Sequence, residues 1–234
     1  MTVWSRIGDA VSRVISTEAA GRLVERIATL AAGAASRNRD MAFWMALIAL
    51  SAKMARADGV VTHDERRAFG DIFSVEDGDR AHVERVFELA ERDVAGFEAY
   101  ARQIAEAFGE DRQMLEDVLD GLFHIAKADG LIHEKELEFI ANVADIFRVD
   151  EVHFDRILAR HVHPNGIDPY AVLGLPASAP FDEVRKRYRA LAAESHPDRL
   201  RARGVPEEFL TIANDRMAAL NDAYAVIEKA RAAA

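Results

Sequence analysis

The chain contains no cysteine among its 234 residues. Disulfide bonds, thiolate zinc sites and cysteine nucleophiles are therefore excluded, and a reducing cytoplasm is compatible with the composition. The net charge is −10, so the chain lacks the surplus of lysine and arginine that phosphate contact needs, which argues against nucleic acid as a partner. The best apolar run, Met41 to Ala52, holds 12 residues, whereas a bilayer-spanning helix needs about 20.

Proline is absent from the first 163 residues, since all six prolines lie at or after Pro164. Because proline breaks helix interiors, its absence permits long helices through the first two thirds of the chain. Apolar residues recur on one helix face at Val3, Ile7, Val11 and Val14 and again at Phe43, Leu47, Leu50 and Met54. No strand pattern is convincing, so the fold is predicted to be all-α.

The stretch from Arg160 to Pro169 is the best candidate for a domain boundary, because it gathers proline, asparagine and glycine. The charge balance also changes there: ten basic and ten acidic residues follow from Ile167 onward, which leaves twenty and thirty upstream. We predict an amphipathic helical segment at 1–40, an acidic helical domain at 41–160, a linker at 161–166 and a neutral domain at 167–234.

The upstream domain contains a repeat, because the segment from Met54 to Glu65 recurs from Ile125 to Glu136, 71 residues later. Each copy reads as a helix, an Ala-Asp-Gly turn, two apolar residues and a new helix start. The glycine suits the left-handed residue that ends a helix, and the last glutamate suits a capping box. The turn residues are Asp58, Gly59 and Glu65 in the first copy and Asp129, Gly130 and Glu136 in the second.

Metal binding is the alternative interpretation of these turns. Calcium could find oxygens on Asp58, Asp64 and Glu65, or on Asp129, Glu134 and Glu136. The alternating Asp or Asn of an EF-hand loop is missing, so helix capping is favoured and no metal or cofactor is predicted. The histidines near the linker, namely His153, His161 and His163, are interpreted as solvated residues and not as a metal or pH-sensing site.

The last 68 residues are predicted to form a helical hairpin. Asp168 and Pro169 suit the start of a short helix that Gly174 ends. A second helix is predicted from about Phe181 to Ser195, because Pro197 disfavours helical geometry at the preceding residue. A third helix starts near Pro206. The predicted core of this domain comprises Tyr170, Leu173, Val184, Tyr188, Leu191, Phe209, Leu220 and Tyr224.

The tripeptide His196-Pro197-Asp198 is thereby placed at the tip of the hairpin. Arg185, Lys186 and Arg189 fall on a solvent-facing arc of the preceding helix, and Arg187 lies on its other flank. An ordinary charged face is the alternative interpretation of this arc.

Both halves resemble known families. The duplicated Ala-Asp-Gly turn is similar to the TerB-like domain, the all-helical module named for tellurite resistance, over roughly Ala42 to Leu158. The segments "DPYAVLGL", "FDEVRKRYRALAAESHPDR" and "LNDAYAVI" resemble the J-domain of the DnaJ family over Ile167 to about Lys229. A TerB-like domain followed by a J-domain resembles the DjlA type of co-chaperone.

The resemblance implies a mechanism. A J-domain docks on a DnaK-type heat-shock chaperone and stimulates its ATP hydrolysis, so the chain is expected to be no enzyme itself. Arg185, Lys186 and Arg189 would steer it toward an acidic patch on the partner, and Arg199 would extend that surface. Asp198 would contact a basic group of the partner, and Pro197 would fix the turn. His196 would hydrogen-bond either within the loop or across the interface.

The chain departs from the family pattern at Ala190, Glu194 and Ser195 on the second helix and at Arg216-Met217-Ala218 on the third, where basic or aromatic residues are common. We therefore expect weaker or more selective stimulation. Client choice, if any, is expected to fall to the TerB-like domain, because the other client-binding regions of larger family members are absent. The alternative function is a TerB-type stress-response scaffold with a degenerate J-domain that serves only for binding.

The first forty residues have two interpretations. They form helices that pack on the TerB-like core, or they touch a membrane surface with Trp4, Ile7, Val11 and Ile15 facing lipid. The type of protein that the chain resembles carries a spanning helix at its amino terminus, and no run here is long enough to be one. We expect a cytoplasmic protein that is at most peripheral to the inner membrane.

Overall fold

The computed structural model describes Ile7, Leu23, Glu25, Ile27 and Thr29, and residues 36–56, 67, 69–70, 75–93, 96–109, 111–128, 130–161, 168–196, 198–199 and 210–232. Every regular element in these ranges is a helix, so the fold is all-α as predicted. The helices are α1 (Ser36–Ala55), α2 (Arg80–Arg92), α3 (Phe97–Phe108), α4 (Arg112–Ala126), α5 (Glu134–Ile146), α6 (Glu151–His161), α7 (Pro169–Val172), α8 (Phe181–Ser195) and α9 (Leu210–Ala232).

The chain forms two compact units, Met1–Arg148 and Val149–Ala234. In the first unit, α1 is the central helix and contacts α2, α3, α4 and α5. Every residue from Ala42 to Ala52 is at most 2% exposed, so the best apolar run of the sequence is a helix buried on all sides. Among the helices of the described ranges, none has the length and apolar character needed to cross a bilayer.

The start of the chain contributes to the core of the same unit. Ile7 is helical and fully buried, and Leu23 and Ile27 are buried as well. A buried Ile7 favours the interpretation in which this segment packs on the helical core. The other residues considered for lipid contact, namely Trp4, Val11 and Ile15, lie outside the described residues.

A buried polar cluster joins α1, α2 and α3. The Tyr100 hydroxyl donates to Asp93 Oδ2 at 2.8 Å, and Lys53 Nζ donates to the Asp93 carbonyl at 2.7 Å. Burial lowers the pKa of Lys53, with Arg56 adding to the effect and Asp93 opposing it. Burial also raises the pKa of Tyr100, and its hydrogen bond to the Asp93 carboxylate raises it further. This cluster closes the carboxyl end of α2 against its neighbours.

The second Ala-Asp-Gly turn has the geometry that the repeat predicts. Gly130 has a φ of +96°, and the Glu136 carboxylate accepts the His133 backbone N–H at 2.8 Å at the start of α5. Glu136 is 2% exposed, so its role here is that of a buried cap. Asp129 and the first-copy residues Asp58, Gly59 and Glu65 lie outside the described residues. The described part of the chain holds no group of three or more acidic or histidine side chains that could bind a metal.

The second unit begins with α6, although the sequence-based limits put residues up to 160 in the upstream domain. α6 contacts α7, and Ala159 packs against the apolar core of this unit. Arg156 on the same helix is 5% exposed, and its Cδ lies 3.5 Å from the place that a Cβ on Gly174 would take. Packing therefore groups α6 with the hairpin.

Gly174 has a left-handed backbone conformation, so replacing it by alanine tests the effect of backbone strain on stability. Its φ is +66°, and the nearest side chains leave an added Cβ ordinary van der Waals room. Gly174→Ala should therefore destabilise the second unit by about 1–2 kcal/mol through backbone strain alone. Urea unfolding followed by far-UV circular dichroism measures this loss. Tryptophan fluorescence should not detect it, since Trp4 and Trp44 both belong to the first unit.

The control for this substitution is Gly78→Ala. Gly78 is not left-handed and has no atom within 4 Å of an added Cβ, so its replacement should change stability by less than about 0.5 kcal/mol. An equal loss in the two variants, or none at Gly174, would contradict the strain argument.

Candidate partner-binding surface

The short helix α7 begins and ends at the residues that the sequence predicts. Asp168 Oδ1 accepts the Tyr170 backbone N–H at 2.9 Å, and Pro169 occupies the first helical position. Gly174 follows the helix in a left-handed conformation. The turn after α7 is also held from outside, because Arg187 Nε on α8 donates to the Leu173 carbonyl at 3.2 Å.

The hairpin of α8 and α9 encloses a small apolar core. Of the eight predicted core residues, Leu173, Val184, Leu191 and Leu220 are at most 5% exposed. The predicted tyrosines Tyr170, Tyr188 and Tyr224 are partly buried and pack against this core. Phe209 lies outside the described residues. A polar bond also crosses the hairpin, since the Tyr188 hydroxyl donates to Asn221 Oδ1 at 2.8 Å.

The helix α8 spans Phe181–Ser195, the same bounds that the sequence predicts. His196 follows with φ −65° and ψ 128°, an extended conformation that the proline at 197 favours. The loop is exposed: 56% of the His196 side chain and 79% of the Asp198 side chain are accessible. Pro197 itself lies outside the described residues, and Arg199 is exposed.

The His196 ring bonds inside the loop. Its Nδ1 accepts the Asp198 backbone N–H at 3.2 Å, and its carbonyl accepts the Arg199 N–H at 2.9 Å. A nitrogen that accepts carries no proton, so the neutral ring has its proton on Nε2. Asp198 Oδ2 lies 3.9 Å from the same Nδ1. The ring thus closes a turn that holds the Asp198 backbone, and 79% of the Asp198 side chain remains accessible.

The basic arc, which comprises Arg185, Lys186 and Arg189, is exposed along α8 as predicted. Arg185 has two neighbours on α8: its Cζ lies 5.1 Å from the centre of the Phe181 ring, and its Nη1 lies 3.9 Å from Asp182 Oδ1. Arg187 does not belong to the arc, because its guanidinium serves the turn after α7. Sequence reasoning missed the role of Phe181, which spacing alone does not distinguish from a core position.

The departures from the family pattern have different structural roles. Ala190 and Glu194 are exposed on α8, so the arc carries no further cation there. Ser195 is 2% exposed and Arg216 on α9 is 4% exposed. A buried Arg216 adds nothing to an exposed patch, and Met217 is partly buried against the core. The exposed positive charge on the described part of this face is therefore that of the arc and Arg199.

The linker histidines do not form a cluster among the described residues. The partly buried His153 has its Nδ1 at 2.7 Å from both carboxylate oxygens of Asp150 at the start of α6. His161 is 8% exposed, so its interpretation as a solvated residue was wrong. It is buried because α6 packs within the second unit. His163 lies outside the described residues.

Comparisons with known proteins match both units. The family model of the tellurite resistance protein TerB matches residues 44–159, and that of the DnaJ domain matches residues 168–232. Co-chaperone protein DjlA of Photobacterium profundum is 28% identical over 220 residues, which cover 83% of this chain and 79% of the relative. DjlA of Coxiella burnetii is 27% identical over 198 residues, 76% of this chain and 73% of the relative.

A shorter match has a higher identity: DjlA of Vibrio cholerae is 42% identical over 62 residues, which are 26% of this chain and 22% of the relative. No solved structure gives a significant match. The TerB match includes most of α6, whereas packing places that helix in the second unit.

Proposed function

We propose that this chain, which belongs to the DjlA type of the J-domain protein family, is a co-chaperone that stimulates ATP hydrolysis by a DnaK-type heat-shock chaperone. The observation that carries the proposal is the exposed loop at the end of α8, where His196 and Asp198 stand beside the basic arc. In this proposal the chain is the partner of an ATPase and not an ATPase itself.

Each part of the surface has a separate role in the proposal. The basic arc attracts an acidic patch of the partner and raises the rate of encounter. Asp198, whose side chain is 79% exposed, makes a charge-assisted contact with a basic group of the partner. His196 sets the backbone of Asp198 through the bond to Nδ1, so that the carboxylate is presented in one orientation. Pro197 keeps the residue before it extended.

This face carries few exposed positive charges, which supports a narrow range of partners. Ala190 and Glu194 supply no cation on α8, and Arg216 is buried. A surface with few charges gains little from electrostatic steering, so stimulation should need higher concentrations than a J-domain with a longer basic face requires. We propose that the acidic TerB domain adds to this selectivity by choosing the client or the cellular context, in the cytoplasm.

Reversing the charge of Lys186 tests the docking role. Lys186→Glu should raise the concentration for half-maximal stimulation of a DnaK-type ATPase about tenfold, because it turns an attraction across the interface into a repulsion. The effect should shrink as salt is raised from 0.05 to 0.5 M, since exposed charges are screened beyond roughly 10 Å at 0.1 M. Single-turnover ATP hydrolysis at increasing concentrations of the full chain measures both quantities.

The matched control is Lys135→Glu, the same charge change at an exposed position of α5 in the first unit. It should leave the concentration dependence unchanged. An equal effect of the two variants would show that net charge and not the arc matters, and would overturn the docking role. No stimulation by the wild type at any concentration would favour the alternative scaffold with a J-domain that only binds.

A further inference from the structure

Phe181 is the first residue of α8. It is partly buried and packs against the apolar core of the second unit. Its ring is stacked on Tyr224 of α9 with the centres 6.1 Å apart and the planes at 23°. Tyr224 in turn is stacked on Tyr188 at 4.4 Å and 20°. Three rings from two helices thus form one stack that ends at Phe181.

The Arg185 guanidinium covers the end of this stack. Its Cζ lies 5.1 Å from the Phe181 ring centre, within the roughly 6 Å range of a cation–π contact. The two residues are four apart on α8, which places their side chains on neighbouring sites of one face. Asp182 offers a second contact at 3.9 Å, but its carboxylate is 96% exposed and holds the guanidinium weakly.

We infer that Phe181 is a positioning residue for partner binding, because its ring holds the Arg185 guanidinium in the direction in which the basic arc meets the chaperone. This inference rests on the proposed function for its last step. A free arginine side chain loses up to about 2 kcal/mol of rotamer freedom when it is fixed at an interface. A side chain that already lies over a ring loses less on binding, which is the general advantage of preorganisation.

The stack explains why the ring itself stays in place. Tyr188 is anchored by its bond to Asn221, and Tyr224 donates to Glu228 at 3.1 Å. The anchored tyrosines restrict the tilt of Phe181, so the hairpin core and the orientation of Arg185 are mechanically connected. Among the described residues of the basic arc, Arg185 is the one whose guanidinium lies over an aromatic ring.

A double-mutant cycle on the full chain tests the inference. Phe181→Leu keeps an apolar side chain and removes the ring face. It should raise the concentration for half-maximal ATPase stimulation about two- to fivefold, the factor expected for an exposed cation–π contact. The maximal stimulated rate should stay the same, because the loop at the tip is untouched. In an Arg185→Ala background, the same substitution should have no further effect.

Two further variants separate positioning from packing. Phe181→Trp restores a ring face of stronger cation–π character and should retain wild-type affinity. Asp182→Asn removes the competing carboxylate and should leave the coupling between positions 181 and 185 intact. Equal effects of Phe181→Leu in both backgrounds, or failure of the tryptophan variant to retain affinity while it remains folded, would overturn the inference and leave the proposed function standing.

The contact between Phe181 and Arg185 can also be tested in the free protein, so this test does not depend on ATPase stimulation. In the free protein, the Arg185 Hδ and Hε resonances should be shifted upfield by the Phe181 ring current and should return to ordinary values in Phe181→Leu. Ordinary Arg185 shifts in the wild type would show that the ring does not hold the guanidinium. The positioning claim would then fall whether or not the chain stimulates an ATPase.

Discussion

His196→Gln is expected to lower the efficiency of ATPase stimulation by about 100-fold, whereas His196→Asn should retain a measurable part of it. The reason lies in which ring nitrogen works inside the loop. Nδ1 accepts the Asp198 backbone N–H at 3.2 Å, and an asparagine oxygen stands at nearly the same distance from the backbone as Nδ1. Asparagine side chains accept a backbone N–H two residues onward in ordinary turns, so this variant keeps the loop closed.

Glutamine carries its polar group one carbon further out, at the place of Nε2, and cannot close the same turn. Without that bond the Asp198 carboxylate loses its fixed orientation, and a misplacement of about 1 Å can cost roughly 100-fold in rate. Single-turnover hydrolysis with each variant at saturating concentration measures the effect. If asparagine were as inactive as glutamine, the ring would act on the partner and not on the loop.

Raising the pH above 10 is expected to destabilise the first unit, and Tyr100→Phe should remove most of that sensitivity. The pKa of Tyr100 is raised above its ordinary value of 10.0 by burial and by the Asp93 carboxylate. The unfolded chain therefore loses this proton first as the pH rises. The stabilisation is fully present below pH 10 and is lost above it at about 1.4 kcal/mol per pH unit.

Lys53 acts in the opposite direction over a lower window. Its pKa is lowered from 10.5 by burial, so the folded state loses the proton first and stability rises with pH until about 10.5. Above pH 10.5 the Tyr100 effect stands alone. At pH 11.5 the wild type should have lost about 2 kcal/mol of unfolding free energy relative to pH 10.

Urea unfolding monitored by tryptophan fluorescence at pH 9, 10, 11 and 11.5 measures this loss, because both tryptophans belong to the first unit. Tyr188→Phe in the second unit is the control and should leave the fluorescence-detected slope unchanged. A Tyr100→Phe variant with the wild-type slope would show that other groups cause the alkaline loss. Its stability at pH 7 should fall by about 1–3 kcal/mol, since the Asp93 carboxylate loses a buried donor.

Local rules predicted the elements of the candidate site well. Proline and glycine positions gave the bounds of α8, the cap at Asp168 and the left-handed Gly174, because each of these features depends on neighbouring residues alone. The same holds for Gly130 and the Glu136 cap. The exposure of the basic arc followed from helical spacing on α8.

Contacts between distant residues were not predictable in the same way. Helical periodicity assigned one buried face to the apolar run in α1, but this helix contacts four others and every residue from Ala42 to Ala52 is buried. The bond between Lys53 and Asp93 spans 40 residues, and nothing in the local pattern marks it. The packing of α6 beside α7 likewise depends on Ala159 meeting a core built from later residues. The predicted domain limits remain predictions.

The contact between Phe181 and Arg185 depends both on local spacing and on a residue that is distant in the sequence. Its spacing of four residues is local, yet the sequence offers Asp182 as an equally near partner for the same guanidinium. The choice between ring and carboxylate is made by the stack on Tyr224, which comes from another helix. Helical spacing predicts that Phe181 and Arg185 are neighbours, but it does not show whether the guanidinium prefers the ring or the Asp182 carboxylate.

The most direct measurement is single-turnover ATP hydrolysis by a DnaK-type chaperone of the same organism, with and without the full chain and its Asp198→Asn variant. Asparagine keeps the shape of the side chain and leaves the backbone N–H that bonds to His196 in place. The account predicts that the wild type accelerates hydrolysis and that Asp198→Asn does not. Equal acceleration by the two proteins, or none by either, would contradict the claim that this exposed carboxylate is the group that acts on the partner.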